Sequence, residues 1–170
     1  VDNVLPLIKT ENFGTKPIDQ AEKILHDYIE RESIALSVRE SDEAFYNPIT
    51  DSITLPRITQ FEHAETFYST AFHECGHSTL KANRCDREAE NKTARFGSED
   101  YSKEELVAEI TSAAIMNHIG LETLATFNNS AAYIQNWLKA LKNDKKLIVS
   151  ASGKAEKAAR YILNINDEKG

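Results

Sequence analysis

The sequence predicts an α+β fold in which a small antiparallel sheet precedes a helical majority. Four long segments space their apolar residues three and four apart, the period of a helix with one buried face. Three short runs rich in β-branched and aromatic residues cluster between positions 34 and 55. One further feature stands at the centre of the chain. The helical run Thr66 to Lys81 contains His73-Glu74-Cys75-Gly76-His77, a pattern that carries chemistry as well as structure.

In chain order, residues 1–17 hold Pro6, Gly14 and Pro17 and little periodicity, so they read as a lead-in to a single domain over 18–163. Ile18, Ala21, Ile24, Leu25, Tyr28 and Ile29 recur at helical spacing and predict an amphipathic helix over 18–32. Ile34 to Val38 is a short strand. Glu43 to Asn47 and Ser52 to Leu55 are two more, joined as a hairpin by the turn residues Asn47-Pro48-Ile49-Thr50-Asp51. Pro56 ends the third strand, and its missing N–H suits an edge position. Beyond Lys81 the chain turns polar, so 83–100 reads mostly as loop, and a loop of that length in a compact domain is often functional. Ser102 to Ile119 is the next helix, stopped by Gly120. Ser130 to Leu141 follows, with Tyr133, Ile134, Trp137, Leu138 and Leu141 spaced for burial, and Ser150 to Leu163 is the last. The polar tail 164–170 is expected to fray.

Composition narrows the function. With 170 residues, 41% apolar and 28% charged, the chain has the make-up of one soluble globular domain. A net charge of −7 argues against gripping nucleic acid, since phosphate binding needs a basic surface. No apolar run is long enough to span a membrane. The opening VDNVLPLIKT lacks the basic and long apolar regions of a signal peptide, and a start at Val reads as an excised domain. Cys75 and Cys85 do not make a disulfide scaffold, which favours a reducing, cytoplasmic setting.

Two histidines four apart on a helix share a face, and two imidazoles so placed hold one Zn²⁺ at about 2.0–2.1 Å. Glu74 follows His73 directly, so its carboxylate reaches the same side of the metal without binding it, the position of a general base. A catalytic zinc usually takes three protein ligands and keeps one position open. Leu80 and Asn83 stand where the longer metzincin motif needs Gly and His, so the third ligand lies elsewhere. Glu105 and Glu109 are four apart and share a face, whereas Glu104 points about 100° away from Glu105. One of the pair would ligate zinc while the other hydrogen-bonds a ligand histidine. Glu105 is the first candidate, with Glu109 and Asp86 as alternatives. Against Glu105, Ser102-x-x-Glu105 also reads as a capping box at a helix start.

The other polar residues have blander readings. Cys75 faces away from the histidine pair and reads as a small buried apolar residue. His63 reads as solvated, and His118 as a core or surface residue. Tyr133 and Trp137 read as core packing. Arg84, Arg87 and Arg95 read as solvated loop charges, or else as a site for an anionic substrate group. Tyr101 adjoins the acidic helix and is a candidate oxyanion stabiliser.

These motifs also resemble a known family. The strings FYSTAFHECGHST (67–79), RCDRE (84–88), FGSEDYSKEELVAEI (96–110) and SAAYIQNWLKALKNDKKLI (130–148), with the Ala-rich helix to Tyr161, look like the C-terminal zincin domain of ArdC-type antirestriction proteins. Such domains are also described as polyvalent-protein metallopeptidase domains of plasmids, conjugative elements and phages. FYNPITDSITLP (45–56) resembles the family's hairpin before the metal helix, and the likeness covers about residues 43–163. The resemblance implies a gluzincin-type metallopeptidase fold with His73 and His77 as ligands, Glu74 as acid/base and a Glu of EELVAE, most simply Glu105, as third ligand. Asp86 falls where the family often shows Asn, and Cys75 where it usually has a bulkier apolar residue. Full-length relatives carry an N-terminal single-stranded-DNA-binding domain, so single-stranded DNA would be bound only through a domain this chain lacks.

Two functions follow as expectations. One is a zinc metallopeptidase acting on a protein or peptide substrate, from an antirestriction-type protein of a mobile genetic element. The other is a non-catalytic module that keeps zinc for structure and masks a host defence protein. The second needs a closed site of four protein ligands, which Cys85 or Asp86 would have to complete.

Overall fold

The computed structural model describes residues 8, 10–91, 96 and 98–165. Residues 1–7 and 9 of the lead-in, Arg95 and the tail beyond residue 165 lie outside the described residues. The elements run α1 (Asp19–Arg31), β1 (Ala35–Arg39), β2 (Phe45–Asn47), β3 (Ser52–Pro56), a 3₁₀ turn (Ile58–Gln60), α2 (Ala64–Ser78), α3 (Glu88–Asn91), α4 (Glu99–His118), α5 (Leu124–Ala140) and α6 (Lys145–Leu163).

The sheet is mixed, which corrects the expectation of an antiparallel one. Its order is β1-β3-β2, with β2 antiparallel to β3 as the hairpin requires, but β1 parallel to β3. After β1 the chain crosses to the far side and enters β2. The tight turn then returns β3 between the two. The Gln60 side chain secures the crossing segment, accepting from the Ser41 N–H at 3.2 Å and donating to the Ser41 carbonyl at 2.7 Å. β3 is therefore the central strand rather than an edge, and Ile53 and Leu55 are fully buried. Pro56 is tolerated because it is the last residue of the strand, opposite Arg39, where no further ladder bond depends on its nitrogen.

Three helices begin earlier than apolar spacing predicts: α4 at Glu99, α5 at Leu124 and α6 at Lys145. Their first turns are largely solvated, so they show no apolar period, and capping side chains set their starts instead. Ser98 accepts from the Tyr101 N–H at 3.2 Å, Thr123 from the Thr126 N–H at 3.1 Å and Asp144 from the Lys146 N–H at 2.9 Å. The Ser98 cap removes the capping-box reading of Ser102 and Glu105, which both lie inside α4. At its other end α4 closes as foreseen. Gly120, with φ at 72°, lets Leu121 N–H reach the Met116 carbonyl at 2.9 Å and its own N–H reach Asn117 at 3.1 Å.

α2 has no solvent face worth the name. Apolar Phe67, Tyr68, Ala71, Phe72 and Cys75 are buried, and so are His73 and Glu74. One core lies between α1, the sheet, α2 and the end of α6, and a second between α4, α5 and the start of α6. Trp137 belongs to the second core and Tyr133 packs against it, as expected. α1 is tied to α2 through Tyr68, whose hydroxyl accepts from the Ile18 N–H at 3.1 Å and donates to Glu22 at 2.7 Å.

Gly76 sets how closely α2 and α4 approach. A Cβ there would stand 3.2 Å from the Ala108 Cα, 3.3 Å from its carbonyl oxygen and 3.3 Å from the Thr111 Cβ. Two of these neighbours are backbone atoms, which yield only if the helices separate. Gly76→Ala should therefore destabilise the protein. Overpacking costs about 1–3 kcal/mol, more than the roughly 1 kcal/mol that alanine returns in helix propensity. Calorimetric melts of the metal-free variant test this, and a melting temperature equal to or above wild type would contradict it.

Candidate metal centre

Close packing of α2 on α4 brings two histidines against three glutamates. The helices run antiparallel here, since His73 meets Glu109 while His77 meets Glu104. Four residues on α2 rise about 6 Å, and the five from Glu104 to Glu109 rise about 7.5 Å, so the two rows stay in step.

The Nε2 atoms of His73 and His77 lie 3.1 Å apart. Glu105 completes a triangle with them, its Oε2 3.2 Å from His73 Nε2 and its Oε1 3.1 Å from His77 Nε2. Ligands on a tetrahedral ion with bonds of about 2.0–2.1 Å sit roughly 3.3 Å from one another, so these separations suit one small cation. Among the described residues, His73, His77 and Glu105 are the group whose donor atoms can share a metal. The opposite ring nitrogens also have partners. His73 Nδ1 donates to Glu109 Oε2 at 2.9 Å, while His77 Nδ1 faces Glu104 Oε1 at 3.7 Å, an ion-pair contact rather than a hydrogen bond. With Nδ1 carrying the proton, both Nε2 lone pairs and a carboxylate converge on one point. That arrangement is repulsive unless a proton or a cation fills it, so the donor set fits a divalent metal.

The electrostatics agree. Burial alone would lower the pKa of His77, but the charge of Glu105 and the closeness of Glu104 and Glu105 outweigh it and push it up to about 10. His73 is likewise opposed by burial and held well above the ordinary histidine value by Glu105 and Glu109. Despite its own burial, Glu105 is held far below the carboxylate range by the two imidazolium charges. The carboxylates around the two rings thus favour positive charge at the centre, whether from protons or from a cation. Metal uptake at neutral pH should release protons from the imidazoles, and affinity should rise with pH, because a protonated ring nitrogen cannot ligate. Titration calorimetry in buffers of different ionisation enthalpy measures this. Heats independent of the buffer would show that the rings start deprotonated.

Glu74 sits beside the triangle, only 3% exposed. Burial raises its pKa, opposed by the two histidine charges and by a hydrogen bond from the Tyr46 backbone on β2. Tyr101 is partly buried with its hydroxyl on Glu105. Burial and that carboxylate push it far up, so it stays a donor.

The remaining candidates do not join the centre. Asp86 is exposed in a turn with φ at 53°, and Cys85 and Cys75 are buried free thiols outside the cluster. His63 and His118 are exposed. Arg84 and Arg87 are neither solvated nor available to a substrate. Arg84 grips Asp51 at 2.8 and 2.7 Å and the Ser78 carbonyl at 2.9 Å. Arg87 grips Glu104 at 3.0 and 2.8 Å. Each finds a carboxylate inside the fold because a buried guanidinium needs one. Sequence reasoning missed Glu104, whose helical phase suggested that it pointed away. Counting donors would have found it: two imidazoles leave two Nδ1–H groups to satisfy beside one ligand, and EELVAE supplies three carboxylates.

The chain is similar to a bacterial DNA primase and to a plasmid antirestriction protein. It is 37% identical to a DNA primase TraC of Escherichia coli over 163 residues, 96% of this chain but 11% of that protein. The Mn(II)-bound crystal structure of the antirestriction protein ArdC from plasmid R388 superposes with a TM-score of 0.68 at 31% identity, over 94% of this chain and 57% of that one. Its metal-free structure gives 0.62 at 34% identity, over 81% and 48%. This chain thus spans only part of the length of each. A model of the zincin-like metallopeptidase family matches residues 20–154. That match takes in the sheet, α2 and all three glutamates of α4, and the chain accordingly belongs to the zincin-like metallopeptidase family.

Proposed function

We propose that the domain is a zinc-dependent peptidase that hydrolyses peptide bonds of a protein or peptide substrate, as part of an antirestriction-type protein of a mobile genetic element. The observation that carries this is Glu74, buried directly beside a triangle of three metal-competent donors. His73, His77 and Glu105 would hold the ion, with Glu109 on the back of His73. A metal held there supplies Lewis acidity, lowering the pKa of a water and polarising a carbonyl. Glu74 takes the water's proton and passes it to the leaving amide nitrogen; a carboxylate whose pKa is raised by burial suits both transfers. Tyr101, kept protonated, would turn its one O–H from Glu105 to negative charge developing beside it.

Two nitrogens and one carboxylate at tetrahedral spacing favour zinc over manganese, which prefers more oxygen ligands in octahedral array. The manganese in the ArdC crystal supports a divalent site without fixing the native ion. The masking-module reading needs a fourth protein ligand, and among the described residues the cluster has three. A net charge of −7 supports leaving single-stranded DNA to another domain of the longer protein. Two buried free thiols support a reducing, cytoplasmic setting, and among the described residues no helix is long and apolar enough to cross a membrane.

The test is metal analysis of the purified protein together with a peptidase assay before and after chelation. About one zinc per chain is expected, with hydrolysis lost on chelation and restored by zinc. Stoichiometric zinc without hydrolysis of any protein or peptide substrate would favour the masking module.

A further inference from the structure

Arg87 lies on the loop after α2 and is 3% exposed. Its guanidinium forks onto one carboxylate of α4, Nε donating to Glu104 Oε2 at 3.0 Å and Nη2 to Glu104 Oε1 at 2.8 Å. The same group binds the last turn of α2, Nη2 donating to the Gly76 carbonyl at 3.1 Å and Nη1 to Thr79 Oγ1 at 2.9 Å. The helix end that carries His77 and the carboxylate that faces His77 are thus held by one planar cation. The two histidines differ in this respect. Among the described residues, Glu109 has His73 as its only ion-pair partner, whereas Glu104 is shared between His77 and Arg87.

Glu104 and Glu105 are adjacent and both reach His77, from opposite ring nitrogens. A buried carboxylate without a partner must move, protonate or find a cation. Besides Arg87, Glu104 Oε2 accepts from Asn91 Nδ2 at a long 3.4 Å, and Oε1 faces His77 at 3.7 Å. An unclamped Glu104 therefore keeps only weak contacts on its own side, with His77 as the charged partner it shares with Glu105.

We infer that Arg87 is a positioning residue of the metal centre: it commits Glu104 to the Nδ1 side of His77 and so leaves Glu105 as the sole carboxylate ligand. This rests on the reading of His73, His77 and Glu105 as the metal site. A guanidinium is suited to the task because its fixed fork sets both carboxylate oxygens at once, which a lysine ammonium does not.

The experiment is a zinc competition titration on the 170-residue chain, comparing wild type, Glu104→Gln, Arg87→Met, the double variant and Arg87→Lys. Arg87→Met and Glu104→Gln should each weaken zinc binding about 10–100-fold, as expected for groups that orient a ligand. If Arg87 acts through Glu104, the double variant loses no more than the worse single variant, and Arg87→Lys recovers part of the loss. Nitrogen NMR of the zinc-loaded imidazoles gives a second readout. Arg87→Met should broaden the Nδ1–H signal of His77 and leave that of His73, held by Glu109, in place. Additive losses, equal disturbance of both rings, or wild-type affinity in Arg87→Met would each overturn the role of Arg87. If Arg87→Met does not fold, Arg87→Lys with and without Glu104→Gln closes the same cycle. Failure of wild type to take up zinc would instead remove the metal reading itself.

Discussion

Glu74→Gln is expected to abolish peptide hydrolysis while the metal stays bound. A positioned acid–base group contributes roughly 10²–10⁴-fold to rate, and the amide can neither take a proton from water nor deliver one to the leaving nitrogen. Metal content should be unchanged, because Glu74 lies outside the triangle of His73, His77 and Glu105. Stability supplies the control. Burial raises the pKa of Glu74 in the folded protein above its unfolded value. Ionising it therefore costs the fold, and that cost appears as pH rises through the unfolded value. Gln carries no such cost, so the metal-free variant should melt no lower than wild type at neutral pH. Loss of hydrolysis with full zinc and an undiminished melting temperature isolates the chemical role. A variant that still turns over at the wild-type rate would remove Glu74 from the mechanism.

The second large effect separates Glu105 from Glu109. Glu105→Gln should lose the metal outright, because Glu105 contributes one corner of the triangle at 3.2 and 3.1 Å from the two Nε2 atoms. Glu109→Gln should lose about 10–100-fold in affinity, since its contact is with the far nitrogen of His73 at 2.9 Å. The metal-free melts should also respond to Glu105→Gln. The histidine charges hold the folded pKa of Glu105 below its unfolded value, so its ionised form stabilises the fold above the unfolded pKa, and that contribution is lost as pH falls. Helix capping does not enter, because Ser98 already caps α4. Zinc titration of both variants decides the matter. Full zinc binding by Glu105→Gln, with binding lost in Glu109→Gln, would exchange the two assignments.

Much of this was legible in the chain. His73 and His77 share a face by helical geometry alone, which needs no knowledge of neighbours, and Glu74 follows from the same local rule. The amphipathic helix of residues 19–31, the hairpin at Asn47 to Asp51 and the stop at Gly120 are likewise local. The start of α4 was local too, but its signal was Ser98 and not apolar period, so a spacing argument placed it at Ser102.

What the chain alone left open involves two elements meeting. Period-two alternation says which face of a strand is buried but not which strand lies beside it, so it could not place β3 between β1 and β2. Helical phase ranks Glu104, Glu105 and Glu109 around their own axis, yet their roles depend on where α2 crosses that axis. The crossing is set by the missing side chain at Gly76, against the backbone of Ala108. The two arginines were misjudged for the same reason: a charge on a polar loop reads as solvated until the fold supplies a buried carboxylate, Asp51 for Arg84 and Glu104 for Arg87. Local geometry thus specified the histidine pair and the glutamate beside it. Only the tertiary approach of α2 to α4 decided which carboxylate meets which nitrogen, because ligand geometry is a matter of tenths of an ångström between helices and no periodicity within one helix contains that distance.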